Sequence, residues 1–206
     1  DEITLQGAGV VAGVGDILML QPRQANLSIL VGGASENNIV DNTSEQLHLS
    51  TSDLSALEEG FSRISIGEIN ESSTVPLIRI VRDDSFRDSV FQDPVELKAD
   101  IIDTLGDAGI LGVDDASITL IADGDIRSPN IIAPGQAVSL RILNGNILID
   151  NRSILAQPTG DRGSSVTIIG NSLEMVNAAI DAINSEAISG SEGDLPSIMI
   201  NVVNSI

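Results

Sequence analysis

The stretches Val95–Glu96–Leu97–Lys98–Ala99–Asp100, Ile118–Thr119–Leu120–Ile121–Ala122–Asp123 and Val138–Ser139–Leu140–Arg141–Ile142 decide the fold. Apolar and polar residues alternate in each, which sorts them onto opposite faces of a pleated strand. The first two stretches align at an offset of 23 residues, the second and third at 20. A period near 20 residues predicts a solenoid, in which each turn buries the face of its neighbour. The uneven spacing predicts an irregular one, with loops inserted between turns.

The same pattern extends outward. Ile3–Leu5, Ile17–Leu20, Leu27–Val31, Leu47–Ser50, Phe61–Ile66, Leu77–Val81 and Ile147–Ile149 read as strands. Ser50–Thr51–Ser52–Asp53 offers helix N-caps before Leu54 and Leu57, which predicts one or two helical turns. Residues 34–46 and 82–93 read as loops, the second one charged, with Phe86 and Phe91 as its anchors. Near the end, Val166–Ile169 and Ile198–Val203 read as strands. Between them Asn171 or Ser172 caps a predicted helix carrying Leu173, Val176, Ile180 and Ile183 on one stripe. The turn residues Gln157–Pro158–Thr159–Gly160 divide the chain into a β-helical repeat region, 1–156, and a C-terminal segment, 157–206. The expected class is all-β: an irregular parallel β-helix followed by a β-rich segment with one short helix.

Composition narrows the partners. The chain has 206 residues and 42% hydrophobic content, yet aromatics are 1%, with no Trp or Tyr. Its core must be built from Ile, Leu, Val and Ala, which suits a narrow interior with side chains stacked in columns. Sites that grip sugar rings or bases stack them on aromatic rings, which are scarce here. Thirty acids face ten bases, for a net charge of −20. Nucleic acid is disfavoured, since phosphate contacts need clustered Lys and Arg. An anionic membrane surface is disfavoured likewise, and no apolar run reaches the roughly 20 residues of a membrane span. With no Cys in the sequence, disulfides and thiolate metal sites are excluded. The chain begins at Asp1 without a signal-peptide pattern, and the expectation is a piece of something longer.

Two resemblances rest on specific residues. Gly60–Phe61–Ser62–Arg63–Ile64–Ser65–Ile66–Gly67, Ala116–Ser117–Ile118–Thr119–Leu120–Ile121–Ala122–Asp123–Gly124–Asp125–Ile126 and Ile132–Ala133–Pro134–Gly135 are similar to the repeats of filamentous-haemagglutinin-type large exoproteins. That resemblance implies right-handed parallel β-helix turns in long, secreted, surface-attached adhesins, and it brings no catalytic residues. The tail resembles the cadherin-like and immunoglobulin-like repeats of giant bacterial adhesins at Val166–Thr167–Ile168–Ile169–Gly170, Val176–Asn177–Ala178–Ala179–Ile180 and Ser197–Ile198–Met199–Ile200–Asn201–Val202–Val203–Asn204. It lacks that family's aromatic residue after the helix and closes on Asn204–Ser205, so the family's calcium ligands have no counterpart positions here.

Candidate sites are few. Asp114, Asp115, Asp123 and Asp125 are candidate calcium ligands, although their spacing is not that of an EF-hand loop. Adjacent acids are expected by chance among thirty, and a solvated turn is the competing reading. Asp83, Asp84, Asp88 and Asp93 form a second acidic loop. His48 is the single histidine, at an outward strand position, without a local nucleophile or carboxylate partner that would make it a catalyst. Lys98 and Arg141 occupy matched outward positions, suited to pairing with Glu96 or Asp100 across the ladder. Gly7, Gly9 and Gly13 have near-dinucleotide spacing, but the strand at Ile17–Leu20 stands where a helix is needed.

The functional expectation is a non-enzymatic structural segment of a large extracellular surface protein, with no resident cofactor unless calcium binds. Its expected partners are neighbouring domains, copies of itself or a cell-surface ligand. The alternatives are a self-assembling subunit of an extracellular fibre and a carbohydrate-active β-helix enzyme.

Overall fold

The computed structural model describes residues 13–24, 26–34, 46–69, 74–83, 85, 87–156, 164–182 and 197–202. The predicted strand at Ile3–Leu5, Gly7 and Gly9, Asp84, Phe86, the proposed division at Gln157–Gly160 and Ile183 lie outside them. The described residues are mostly β, arranged as three sheets in which every neighbouring pair is parallel.

The first sheet has seven strands, ordered as β1 (Ile17–Leu20), β4 (Arg63–Gly67), β7 (Val95–Ala99), β10 (Ile118–Ala122), β13 (Ala137–Ile142), β16 (Ser165–Gly170) and β19 (Ser197–Val202). The second runs from β17 (Ser172–Val176) through β14 (Asn146–Asp150), β11 (Ile126–Arg127), β8 (Ile101–Thr104) and β5 (Leu77–Val81) to β2 (Ser28–Gly32) and β3 (Gln46–Leu49). The third comprises β18 (Ala179–Asp181), β15 (Ser153–Leu155), β12 (Asn130–Ile132), β9 (Gly109–Gly112) and β6 (Ser89–Phe91). From β4 onward the chain visits the sheets in rotation, so each strand pairs with the strand three places along.

Register follows the apolar pattern. Ile66, Leu97, Leu120, Leu140 and Ile168 stand in one column of the first sheet, and all are 0% exposed. Val95 pairs with Ile118 and Ile118 with Val138, at the two offsets expected from the alternating stretches. The second sheet contributes a column of Leu47, Ile29, Ile78, Ile102, Ile126, Ile147 and Leu173. The third adds Ile110, Ile131, Ile154 and Ile180. These columns join in a single aliphatic core. A one-residue slip of any strand would turn its whole column out to water, so burial itself fixes the register. Gly67 marks one tight point: its φ is +80°, and a Cβ there would come within 2.2 Å of the Lys98 carbonyl oxygen.

The single described helix, α1 (Thr51–Ser55), packs mainly on β6, with lesser contacts to β2 and β3. Ser50 caps it as its sequence position predicts. The Ser50 hydroxyl accepts from the Asp53 amide at 3.2 Å, and the Ser50 amide donates to the Asp53 carboxylate at 2.9 Å.

The helix predicted after Asn171 is not formed. Ser172–Val176 is β17 and Ala179–Asp181 is β18, separated by Asn177 at φ +48°. Leu173, Val176 and Ile180 do have helical spacing. Five consecutive register partners on β14 and three on β15 outweigh that local pattern, because they complete two sheet ladders. The predicted loop at 82–93 likewise contains a strand, β6, with Phe91 buried as its anchor.

Candidate functional site

The chemistry-bearing side chains collect at the corners between sheets and on the outward faces. The four candidate calcium ligands fall at two different corners. Asp114 and Asp115 lie between β9 and β10, and Asp123 and Asp125 lie between β10 and β11. The five-residue strand between the pairs is about 16 Å long, so the four carboxylates do not converge on one ion. No group of three or more His, Cys, Asp or Glu side chains is placed to hold a metal among the described residues.

Asp123 and Asp125 instead accept hydrogen bonds from the chain between β13 and β14 and from the start of β14. The Asn144 side-chain amide donates to Asp123 Oδ1 at 2.5 Å, and the Asn146 backbone amide donates to Asp125 Oδ1 at 2.8 Å. Ser172 extends the series by donating to Asn146 Oδ1. Asn151 and Asn177 repeat the device at the next corner. Both have positive φ, which Asn tolerates, and the Asn177 side-chain amide donates to Asn151 Oδ1 at 3.3 Å. Asp114, at φ +55°, has its carbonyl accepting from the Gln136 side chain at 3.0 Å.

The second acidic loop separates into three parts. Asp83 accepts from the Ser85 and Arg87 amides and from the Arg87 guanidinium. Burial pushes its carboxyl up, but the Arg87 and Ser85 donors outweigh that and hold it below the usual carboxylate range. Asp88 pairs with Arg82 at 2.7 Å, and that bond raises the Arg82 guanidinium further. Asp93 is 3% exposed and has a different task. Its two oxygens accept from the Gly60 and Phe61 amides at 2.9 and 3.1 Å, fastening the chain after α1 to the start of β7. Beside it, Leu54, Leu57, Ile64, Val90 and Phe91 help line a crevice of about 120 Å³. That is small beside the ~300 Å³ at which ligand pockets begin.

His48 is half-buried, with Nε2 2.8 Å from the Gly32 carbonyl oxygen, a tie between β3 and the end of β2. Lys98 bonds Glu96 at 2.7 Å, the expected partner but two residues along the same strand rather than across the ladder, and Arg63 joins the same carboxylate from β4 at 3.0 Å. Arg141 stands two strands from Lys98 in its column and is exposed. On the second sheet, Asp103 lies between Arg79 at 3.2 Å and Arg127 at 3.7 Å. Arg63–Glu96 and Arg79–Asp103–Arg127 run across the strands, whereas Lys98–Glu96 lies along β7.

Sequence reasoning found the acids but not their partners. Asn144, Asn146 and Ser172 lie 21 to 26 residues from the groups they bond, and only the register brings them together. No described helix is long and apolar enough to cross a membrane. No family model matches this chain, and neither a curated protein nor a solved structure matches it.

Proposed function

We propose that the chain is a right-handed parallel β-helical segment of a large secreted bacterial surface protein, and that its work is to extend and space the parts it joins. The observation that carries this reading is the rotation of the chain through three parallel sheets, every third strand stacking in register. Such stacking adds about 4.8 Å of length for each turn of chain, with backbone bonds running along the stack. The first sheet, at seven strands, spans about 30 Å on that spacing. The polar side chains are consistent with it, since the corner asparagines and the ion pairs Arg63–Glu96, Arg79–Asp103 and Arg127–Asp103 join one turn to the next. The exterior setting rests on the resemblance to exoprotein repeats and on the acidic surface.

An antibody against this chain tests the setting. It labels intact cells of the source organism, and surface protease treatment removes the label. Label that appears only after lysis overturns the exterior reading. A panel of acidic polysaccharides, assayed with and without calcium, tests the enzymatic rival and yields no turnover if the chain is scaffold.

A further inference from the structure

The sequence contains one Asn–Gly pair, Asn144–Gly145, and one Asp–Gly pair, Asp123–Gly124. The fold stacks them on each other at one corner, where the Asn144 amide donates to the Asp123 carbonyl at 2.8 Å. Both dipeptides are chemically primed for attack of the glycine amide nitrogen on the preceding side chain, because glycine puts no Cβ in the way. The two differ in what holds that nitrogen. The Gly124 amide donates to the Asp100 carbonyl at 2.8 Å, whereas the Gly145 amide has no hydrogen-bond acceptor among the described residues. Asn144 is also exposed.

We infer that Asn144 is a site of spontaneous deamidation in the folded protein, and that Asp123 beneath it is protected from the parallel isomerisation. The Gly145 nitrogen loses its proton to solvent base and bonds to Asn144 Cγ. The Cγ–Nδ2 bond breaks, and the amide leaves as ammonia after taking up a proton. Water then opens the resulting succinimide at either carbonyl, leaving aspartate or isoaspartate. No redox partner is involved, and the balance is one water in and one ammonia out.

The product bears on the ladder of the corner. The Asn144 side chain is a donor to Asp123 Oδ1. A carboxylate in its place donates nothing and faces Asp123 and Asp125 with like charge. Isoaspartate also lengthens the backbone by one atom between β13 and β14, where register is set by burial on both sides. Gly145 itself is fixed, since a Cβ there would meet the Gly124 carbonyl oxygen at 2.2 Å.

The test is peptide mapping by mass spectrometry after incubating the full chain in mildly alkaline buffer, folded and in denaturant, with ¹⁸O-labelled water to mark hydrolysed sites. In the folded chain, label enters at Asn144 roughly tenfold faster than at Asn146 or Asn171, and Asp123 stays unlabelled. In denaturant both Asn144 and Asp123 take up label, because the Asp100 acceptor is gone. The Asn144→Gln variant stays unlabelled at 144 while keeping the native circular dichroism. Label at Asn144 only in denaturant overturns the proposal by showing that the fold locks this corner. Label at Asp123 in the folded chain overturns the protective role of the Gly124 bond.

Discussion

Ile168 and Ile200 stand next to each other in one column of the first sheet, yet Ile168 is 0% exposed and Ile200 is 48%. The residue type and the inward position are the same. What differs is the neighbours: among the described residues β16 has a strand on each side, and β19 has one. The other edge positions of that end behave alike, with Met175 at 41% and Ile198 at 39%. At the opposite end, where α1 packs against β2, β3 and β6, the edge residues Leu20, Leu47 and Leu49 are 7%, 1% and 1% exposed. Burial in this molecule is therefore conferred strand by strand, and an apolar column stabilises only where it is covered on both sides.

The largest expected effect sharpens that contrast. Ile168→Ala opens a cavity in a packed column and costs about 2–5 kcal/mol, while Ile200→Ala removes half-exposed surface and costs about 1 kcal/mol or less. Urea denaturation followed by circular dichroism compares them; equal losses would mean that the β19 end is covered in solution. Next comes the fastening of the covered end. Asp93→Ala leaves the Gly60 and Phe61 amides without their acceptor and costs about 2–3 kcal/mol. An unchanged urea midpoint would refute the clamp. Ser50→Ala removes the α1 cap at about 1 kcal/mol, read the same way.

The smallest effect is a pH signature. The Asp83 carboxyl is depressed in the folded chain, so its contribution is full above the unfolded carboxylate value, about 3.9, and fades as pH falls through the folded value. Asp83→Asn thus lowers stability at neutral pH by about 1 kcal/mol or less, Arg87 being largely exposed, and the gap to the parent chain closes in acid. A gap that persists unchanged into acid would contradict this assignment.

The first sheet was the most legible part of the sequence. Its strands have four to six residues, enough for alternation to show at Val95–Ala99, Ile118–Ala122 and Val138–Ile142. The third sheet was not legible, because strands such as Ser89–Phe91, Asn130–Ile132 and Ser153–Leu155 are three residues long and bury only one or two side chains each. Residues 172–181 misled, since local spacing favoured a helix while the partners that make them strands lie 26 residues earlier. The acidic corners were visible as charge alone. Their hydrogen-bonding role depends on the register between strands, which no local window contains.

The most direct test of the central claim, stacking in register, uses the absence of native cysteine. Thr119 and Ser139 are outward register partners on β10 and β13. Adjacent strands lie about 4.8 Å apart, within the 4.4–6.8 Å that a disulfide bridges. The paired variant Thr119→Cys with Ser139→Cys is oxidised and its disulfides are mapped, beside Thr119→Cys with Arg141→Cys, a pair offset by two residues. Stacking in this register predicts rapid intramolecular closure of the first pair and markedly slower closure of the second. Equal rates, or closure of the offset pair alone, would contradict the register on which the fold and its proposed work depend.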